Sequence, residues 1–95
     1  MVVRRSPSAA WRTIAGQGIV LGVDSRTLRG LNPVATRVWE LIDGARSSAD
    51  IVAEITREFA VDAARARRDI DAFLGDLLAR RLVEPITSPA DPPRA

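Results

Sequence analysis

Residues 19–44, IVLGVDSRTLRGLNPVATRVWELIDG, change hydrophobic period part-way along, and that change decides the fold. Ile19 to Asp24 is rich in β-branched and aliphatic residues, Ser25-Arg26 reads as a turn, and Thr27 to Leu31 continues as a second extended run. With a two-residue loop, Val23 is expected opposite Leu28 and Leu21 opposite Gly30 on one side of the sheet, with Val20 and Leu31 meeting on the other. Both faces then carry apolar groups, more than a ribbon packed on one side requires. At Asn32-Pro33 the pattern turns helical: Asn is an N-cap, and Pro stands at the first helical position, where its missing N–H costs nothing. Val34, Val38, Trp39, Leu41 and Ile42 then supply an inward stripe as far as about Asp43, and Gly44 ends the helix as the residue least penalised in the left-handed conformation.

Upstream, Trp11 to Ala15 reads as a short strand and Gly16-Gln17-Gly18 as a turn. Downstream, Ser47 and Asp50 form a capping box ahead of Ile51, Val52, Ile55 and Phe59. Asp62 caps a third helix whose Ile70, Phe73, Leu74, Leu77, Leu78 and Leu82 recur every three or four residues, and Pro85 stops it. The expected class is α+β and winged-helix-like: a small N-terminal antiparallel sheet of about three strands followed by three α-helices. One domain is expected over residues 11–84. Residues 1–10 and 85–95, the latter holding four of the six prolines, are expected to be flexible.

Composition narrows the chemistry. The 95 residues are 46% hydrophobic and 27% charged, which is globular, but only 4% are aromatic and none is Cys, so a compact helical layer must do most of the stabilising. Without Cys or His, zinc sites, thiol nucleophiles and the commonest general base are excluded. No metal or cofactor is expected. Nothing at the N-terminus reads as a signal peptide and no 18-residue apolar run exists, so the expected location is cytoplasmic, with no membrane contact.

The net charge is only +2, yet residues 1–32 carry five Arg against one Asp while residues 33–84 carry eight Arg against ten acids. The basic first third hints at an acidic partner, although a solvated mixture of charges is the more ordinary explanation. Asp69, Asp71 and Asp76 alternate with Arg65, Arg67, Arg68, Arg80 and Arg81, the spacing of surface ion pairs and not of an acid–base pair. Gly16, Gly18 and Gly22 miss the dinucleotide fingerprint by one residue, with no helix opening behind them. A winged helix raises the question of DNA, but residues 62–84 hold five Arg and five acids, and a neutral helix is poorly matched to a duplex with one phosphate charge per about 1.7 Å.

An edge strand offers a different use. Thr27-Leu28-Arg29-Gly30 has no Pro or Lys to blunt it, so an extended peptide can add to it through backbone hydrogen bonds. The helix-three line of Ala64, Arg68, Asp71, Gly75, Leu78 and Leu82 flanks the core stripe and suits a groove wall. Gly75 costs its helix about 1 kcal/mol relative to Ala, which a ligand backbone passing close by, or tight packing of the first helix, would explain.

The run from Val23 to Asn32, then Ala35, then Val38-Trp39-Glu40-Leu41-Ile42-Asp43-Gly44, together with Ile51, Phe59, Asp69-Ile70, Phe73-Leu74, Leu77 and Arg81-Leu82-Val83-Glu84, resembles the PqqD family. These are small precursor-peptide recognition elements of pathways that make ribosomal, post-translationally modified peptides. The resemblance covers residues 11–84 and implies a non-catalytic domain that binds the leader segment of a precursor as an added strand. That strand lies beside the third strand, here Thr27 to Leu31, in a groove closed by the third helix. The implied binding residues are Arg26, Thr27, Leu28, Arg29 and Gly30 on the strand side and Arg68, Asp71, Gly75 and Leu78 on the helix.

The chain departs from the family at Arg26, where many relatives have Gly in a turn that wants positive φ, and at Leu28 and Arg29, where relatives carry aromatics. An acidic leader side chain is expected to meet Arg26 or Arg29. The Asp-Ser-x-Thr turn and the Val-Trp-Glu-Leu segment resemble the stand-alone recognition proteins of lasso-peptide pathways, which act with a leader peptidase and a ring-closing enzyme. A carrier working with a radical enzyme in pyrroloquinoline quinone biosynthesis is the alternative. The expected state is a monomer or weak homodimer.

Overall fold

The computed structural model describes residues 2–23 and 26–86. The chain runs β1 (Val3–Arg5), β2 (Ala9–Ile14), β3 (Gln17–Gly22), β4 (Thr27–Gly30), α1 (Pro33–Leu41), α2 (Ser48–Glu58), α3 (Ala63–Ala79) and β5 (Val83–Pro85). β2, β3 and β4 form a three-stranded antiparallel sheet in that order, and β1 pairs with β5 in a separate two-stranded ribbon. Small sheet and three helices together make an α+β fold.

Each turn and cap has a local cause. Ala15 (φ 52°) and Gly16 (φ 80°) make the two-residue β2–β3 turn, with Ile14 opposite Gln17, the left-handed pair that a tight hairpin demands. Asn32 Oδ1 accepts the Ala35 N–H at 2.8 Å, and Ser47 and Asp50 make both bonds of the capping box. Asp62 caps α3 by accepting the Arg65 N–H.

Several boundaries differ from the sequence expectation. The β3–β4 register sets Leu21 opposite Leu28 and Gly22 opposite Thr27, so the loop spans residues 23–26 and not two residues. That shift of two leaves every side chain on its expected face, because sheet facing repeats every second residue. Arg26 itself takes φ 52°, so this chain keeps the turn at the strain of a non-glycine residue. The first helix stops at Leu41, and Gly44 (φ 80°) lies in the loop beyond its Ile42 cap. The third helix stops at Ala79, well before Pro85: Arg81 adopts φ 59°, its N–H reaches Leu78 O at 3.1 Å, and the Leu82 N–H reaches Leu77 O at 2.9 Å, a Schellman ending.

The largest correction concerns the N-terminus. Residues 3–5, expected to lie outside the domain, pair with residues 83–85, and Val3 is 2% exposed. Arg5 donates to Trp39 O at 3.0 Å and Glu40 O at 3.0 Å at the end of α1, where Trp39 O also accepts the Ile42 N–H. Its guanidinium also lies 4.9 Å from the Trp11 ring centre and 5.5 Å from that of Trp39. Of the expected flexible tail, Pro85 belongs to β5, and residues 87–95 lie outside the described residues.

Val20, Val38, Trp39, Ile42, Ile51, Ile55, Leu74, Leu77 and Leu82 fill the core, joined by Val3. Thr36 is buried too, because its hydroxyl accepts the Gly18 N–H at 2.7 Å and donates to Asn32 O at 2.8 Å. A side chain on Gly18 would press on Leu31 and Thr36 at 3.3 Å, so the start of β3 rides directly on α1. This anchors the hairpin, and with it β4, against the helices.

Gly75 is not packed against α1. A methyl group there would meet nothing within 4 Å, so Gly75→Ala is expected to stabilise the protein by about 1 kcal/mol through helix propensity alone. A thermal melt should show this as a Tm rise of about 4–8 °C.

Candidate peptide-binding site

Leu31 N–H donates to Gly18 O at 2.8 Å, which fixes the alternation along β4: residues 27, 29 and 31 bond inward to β3. Leu28 and Gly30 therefore aim their N–H and C=O groups away from β3, at the open edge of the sheet. Leu28 is 65% exposed. β2 has an open edge of the same kind, and the β4 edge adjoins a cleft lined by Arg29.

That cleft encloses about 560 Å³ and runs from Arg29 between α1 and the first half of α3. Val34, Ala35 and Val38 line it from α1, and Arg65, Asp69, Ile70 and Phe73 from α3, with Val61 and Asp62 at the α2–α3 connection. Its floor is apolar and its α3 rim is charged.

Arg29 is the element that joins strand to helix. Its Nε donates to Asp76 Oδ2 at 3.1 Å, and its guanidinium carbon sits 5.5 Å from the Phe73 ring centre. Asp76 also accepts Arg80 Nε on both oxygens, at 2.9 and 3.0 Å. These bonds, Arg80's first and then Arg29's, hold the Asp76 carboxyl below the ordinary carboxylate range. Arg80 with Asp76 and Arg65 with Asp69 are the surface ion pairs that the four-residue spacing foretold.

Of the expected site residues, Thr27, Leu28, Arg29 and Gly30 form β4, and Arg26 is exposed at its head. The expected helix residues lie apart from the cleft. Arg68, Asp71 and Gly75 are exposed on the far side of the core stripe from the cleft, and Leu78 borders a separate depression with Ser6, Ser8 and Arg81. The flank that faces β4 carries Arg65, Asp69, Phe73 and Asp76. A helix with one buried stripe has two flanks, and only the packing against the sheet decides between them.

The sheet's other face is open and largely apolar, with Arg12 and Gln17 also on it. Ile14, Ile19, Leu21, Val23 and Leu28 share it, each at least 40% exposed. Among the described residues no helix is long and apolar enough to cross a membrane, and no cluster of His, Cys, Asp or Glu is arranged to hold a metal ion.

The family model described as coenzyme PQQ synthesis protein D (PqqD) matches residues 17–83. The chain belongs to the PqqD family. Two solved structures are similar to this PqqD-family chain over nearly all of their length. One is TbiB1 in complex with the TbiA(beta) leader peptide, 27% identical, covering 90% of this chain and 99% of that one, with a TM-score of 0.79. The other is lasso peptide synthetase B1 complexed with the leader peptide, 24% identical over 90% of this chain and 100% of that one, TM-score 0.77, a likeness of fold. A comparison with curated proteins finds no match.

The sequence of this PqqD-family chain has no Lys, His, Tyr or Cys, so none of its side chains has an ordinary pKa between about 5 and 9. Affinity for a peptide that itself does not titrate there is expected to be flat across that window. Acid is different. Asp43, held low by the Arg46 and Ala45 N–H groups, Glu58, held low by Arg37, and Asp76 all have depressed folded values. Their stabilisation is complete above the unfolded carboxylate pKa and is lost as pH falls through the folded values. Thermal melts should therefore be level from pH 5 to 9 and decline below about pH 4.

Proposed function

We propose that this protein is a non-catalytic recognition element that captures the leader segment of a ribosomally made precursor peptide as a strand added to β4. The observation that carries the reading is the open β4 edge, with Leu28 and Gly30 aimed outward beside a peptide-sized cleft against α3. Membership of the PqqD family and likeness to a TbiB1 structure determined with its leader peptide support it. Lasso-type maturation is favoured over a pyrroloquinoline quinone carrier role by the two structural relatives.

In this reading the protein works in the cytoplasm, where precursors are made, and uses no cofactor. It hands the bound leader to a leader peptidase and a ring-closing enzyme. The exposed apolar side chains of Ile14, Ile19, Leu21, Val23 and Leu28 on one face support such a partnership, since grouped exposed apolar surface marks an interaction surface. Free of partners the protein is a monomer or weak homodimer, which light scattering across a concentration series measures.

Fluorescence polarisation of a labelled leader, taken from the precursor encoded in the same gene cluster, tests the reading. Saturable binding is expected, weakening by less than about tenfold from 50 to 200 mM salt, whereas a duplex binder making 6–10 phosphate contacts loses about 10³–10⁵. No saturable leader binding, or tight and steeply salt-dependent binding to duplex DNA, would refute it.

A further inference from the structure

Arg29 makes one contact that its ion pair does not require. Its Nη1 donates to Gly30 O at 2.6 Å, and Gly30 O is one of the outward acceptors on the open β4 edge. The side chain is thus spread across the site: Nη1 on the edge carbonyl, Nε on Asp76 of α3, and the guanidinium carbon near Phe73 in the cleft. A strand adding to β4 needs that carbonyl for its own N–H. Arg29 has to yield it.

We propose that Arg29 and Asp76 form a latch over the peptide site, which a leader opens by offering its own carboxylate to Arg29. This rests on the strand-addition reading and names a chemical feature of the ligand: an Asp or Glu on the leader residue that faces Arg29. Two residues opposite one another in a ladder put their side chains on the same face. The leader residue opposite Arg29 therefore points to the inner face, toward Phe73 and Asp76.

The charges make the exchange feasible. Asp76 keeps both oxygens on Arg80 when Arg29 leaves, so no carboxylate is stranded. Two arginines share this one carboxylate, leaving one positive charge uncompensated at the end of the cleft. An arriving carboxylate neutralises it with a charge-assisted hydrogen bond. Asp76 also lies one turn from the α3 C-terminus, where the helix dipole disfavours a negative side chain, so its place there needs the two arginines.

The test uses the labelled leader with each Asp or Glu changed singly to its amide, against the wild-type protein, Arg29→Gln and Asp76→Asn. Asp76→Asn frees Arg29 without removing it, and is expected to bind the unmodified leader about three- to tenfold more tightly. One acid-to-amide change is expected to cost the wild type about tenfold and Arg29→Gln less than about twofold. Without peptide, the Arg29 Nε–H resonance should shift in Asp76→Asn while near-UV circular dichroism stays that of the wild type.

If the leader binds but Asp76→Asn binds no more tightly, or every amide change costs Arg29→Gln as much as the wild type, the latch is overturned and strand addition stands. If the wild type does not bind the leader at all, both fall together.

Discussion

Leu28→Pro is expected to weaken leader binding at least about tenfold while leaving the fold intact. The Leu28 N–H points away from β3, so proline there breaks no bond of the existing sheet and removes a donor that only an added strand can use. The bound peptide would be left with an unpaired carbonyl at a desolvated edge, a penalty of about 1–3 kcal/mol before any clash with the proline ring is counted. A shift of one residue reverses the pattern. Arg29→Pro removes a donor that faces Val20, so it should disrupt the sheet itself and lower Tm whether or not peptide is present. Polarisation titrations alongside thermal melts separate the two variants.

The second large effect is on stability. A chain starting at Trp11, the boundary the sequence suggests, is expected to lose about 3–5 kcal/mol, a large part of what a domain of this size has. Val3 leaves the core, for about 1.5–3 kcal/mol. The charged hydrogen bonds from Arg5 to Trp39 O, partly buried, and to Glu40 O, exposed, are worth a further 1.5–3 kcal/mol or so. The β1–β5 ladder goes as well, and Leu82 O loses the Ser6 N–H. Urea unfolding measures the loss. A truncated chain as stable as the full one would mean that β1 is an ornament of the surface.

The parts of the fold legible in the sequence are those written in local chemistry. Asn32-Pro33, Ser47 with Asp50, and Asp62 each satisfy a helix N-terminus with their own side chains, and all three helices start where those residues stand. β1 was illegible because Val3-Arg4-Arg5 has no periodicity of its own. It becomes a strand through pairing with residues 80 positions away and through Arg5 reaching the end of α1. The end of α3 is likewise hidden in the sequence, since Arg81 rather than a glycine takes the left-handed position.

The candidate site divides along the same line. Its strand half follows from composition and turn placement, which is why Thr27 to Gly30 emerge correctly as β4. Its helix half depends on which flank of α3 meets the sheet, a property of three-dimensional packing. Phe73 reads as core in the sequence and is half-buried at the cleft, while Asp76 reads as an ordinary partner of Arg80 and holds Arg29 as well. The one available hint was Asp76's position near a helix C-terminus, which an isolated surface ion pair explains only in part.

Amide hydrogen exchange on the leader complex tests strand addition most directly. Arg29 and Leu31, bonded to β3, should be protected with or without peptide, while Leu28 and Gly30 should exchange quickly in the free protein and become protected when the leader is bound. That alternation arises only if a strand pairs with the β4 edge. Bound leader with no new protection at Leu28 and Gly30, or with protection at Trp11 and Thr13 on the β2 edge, would contradict it.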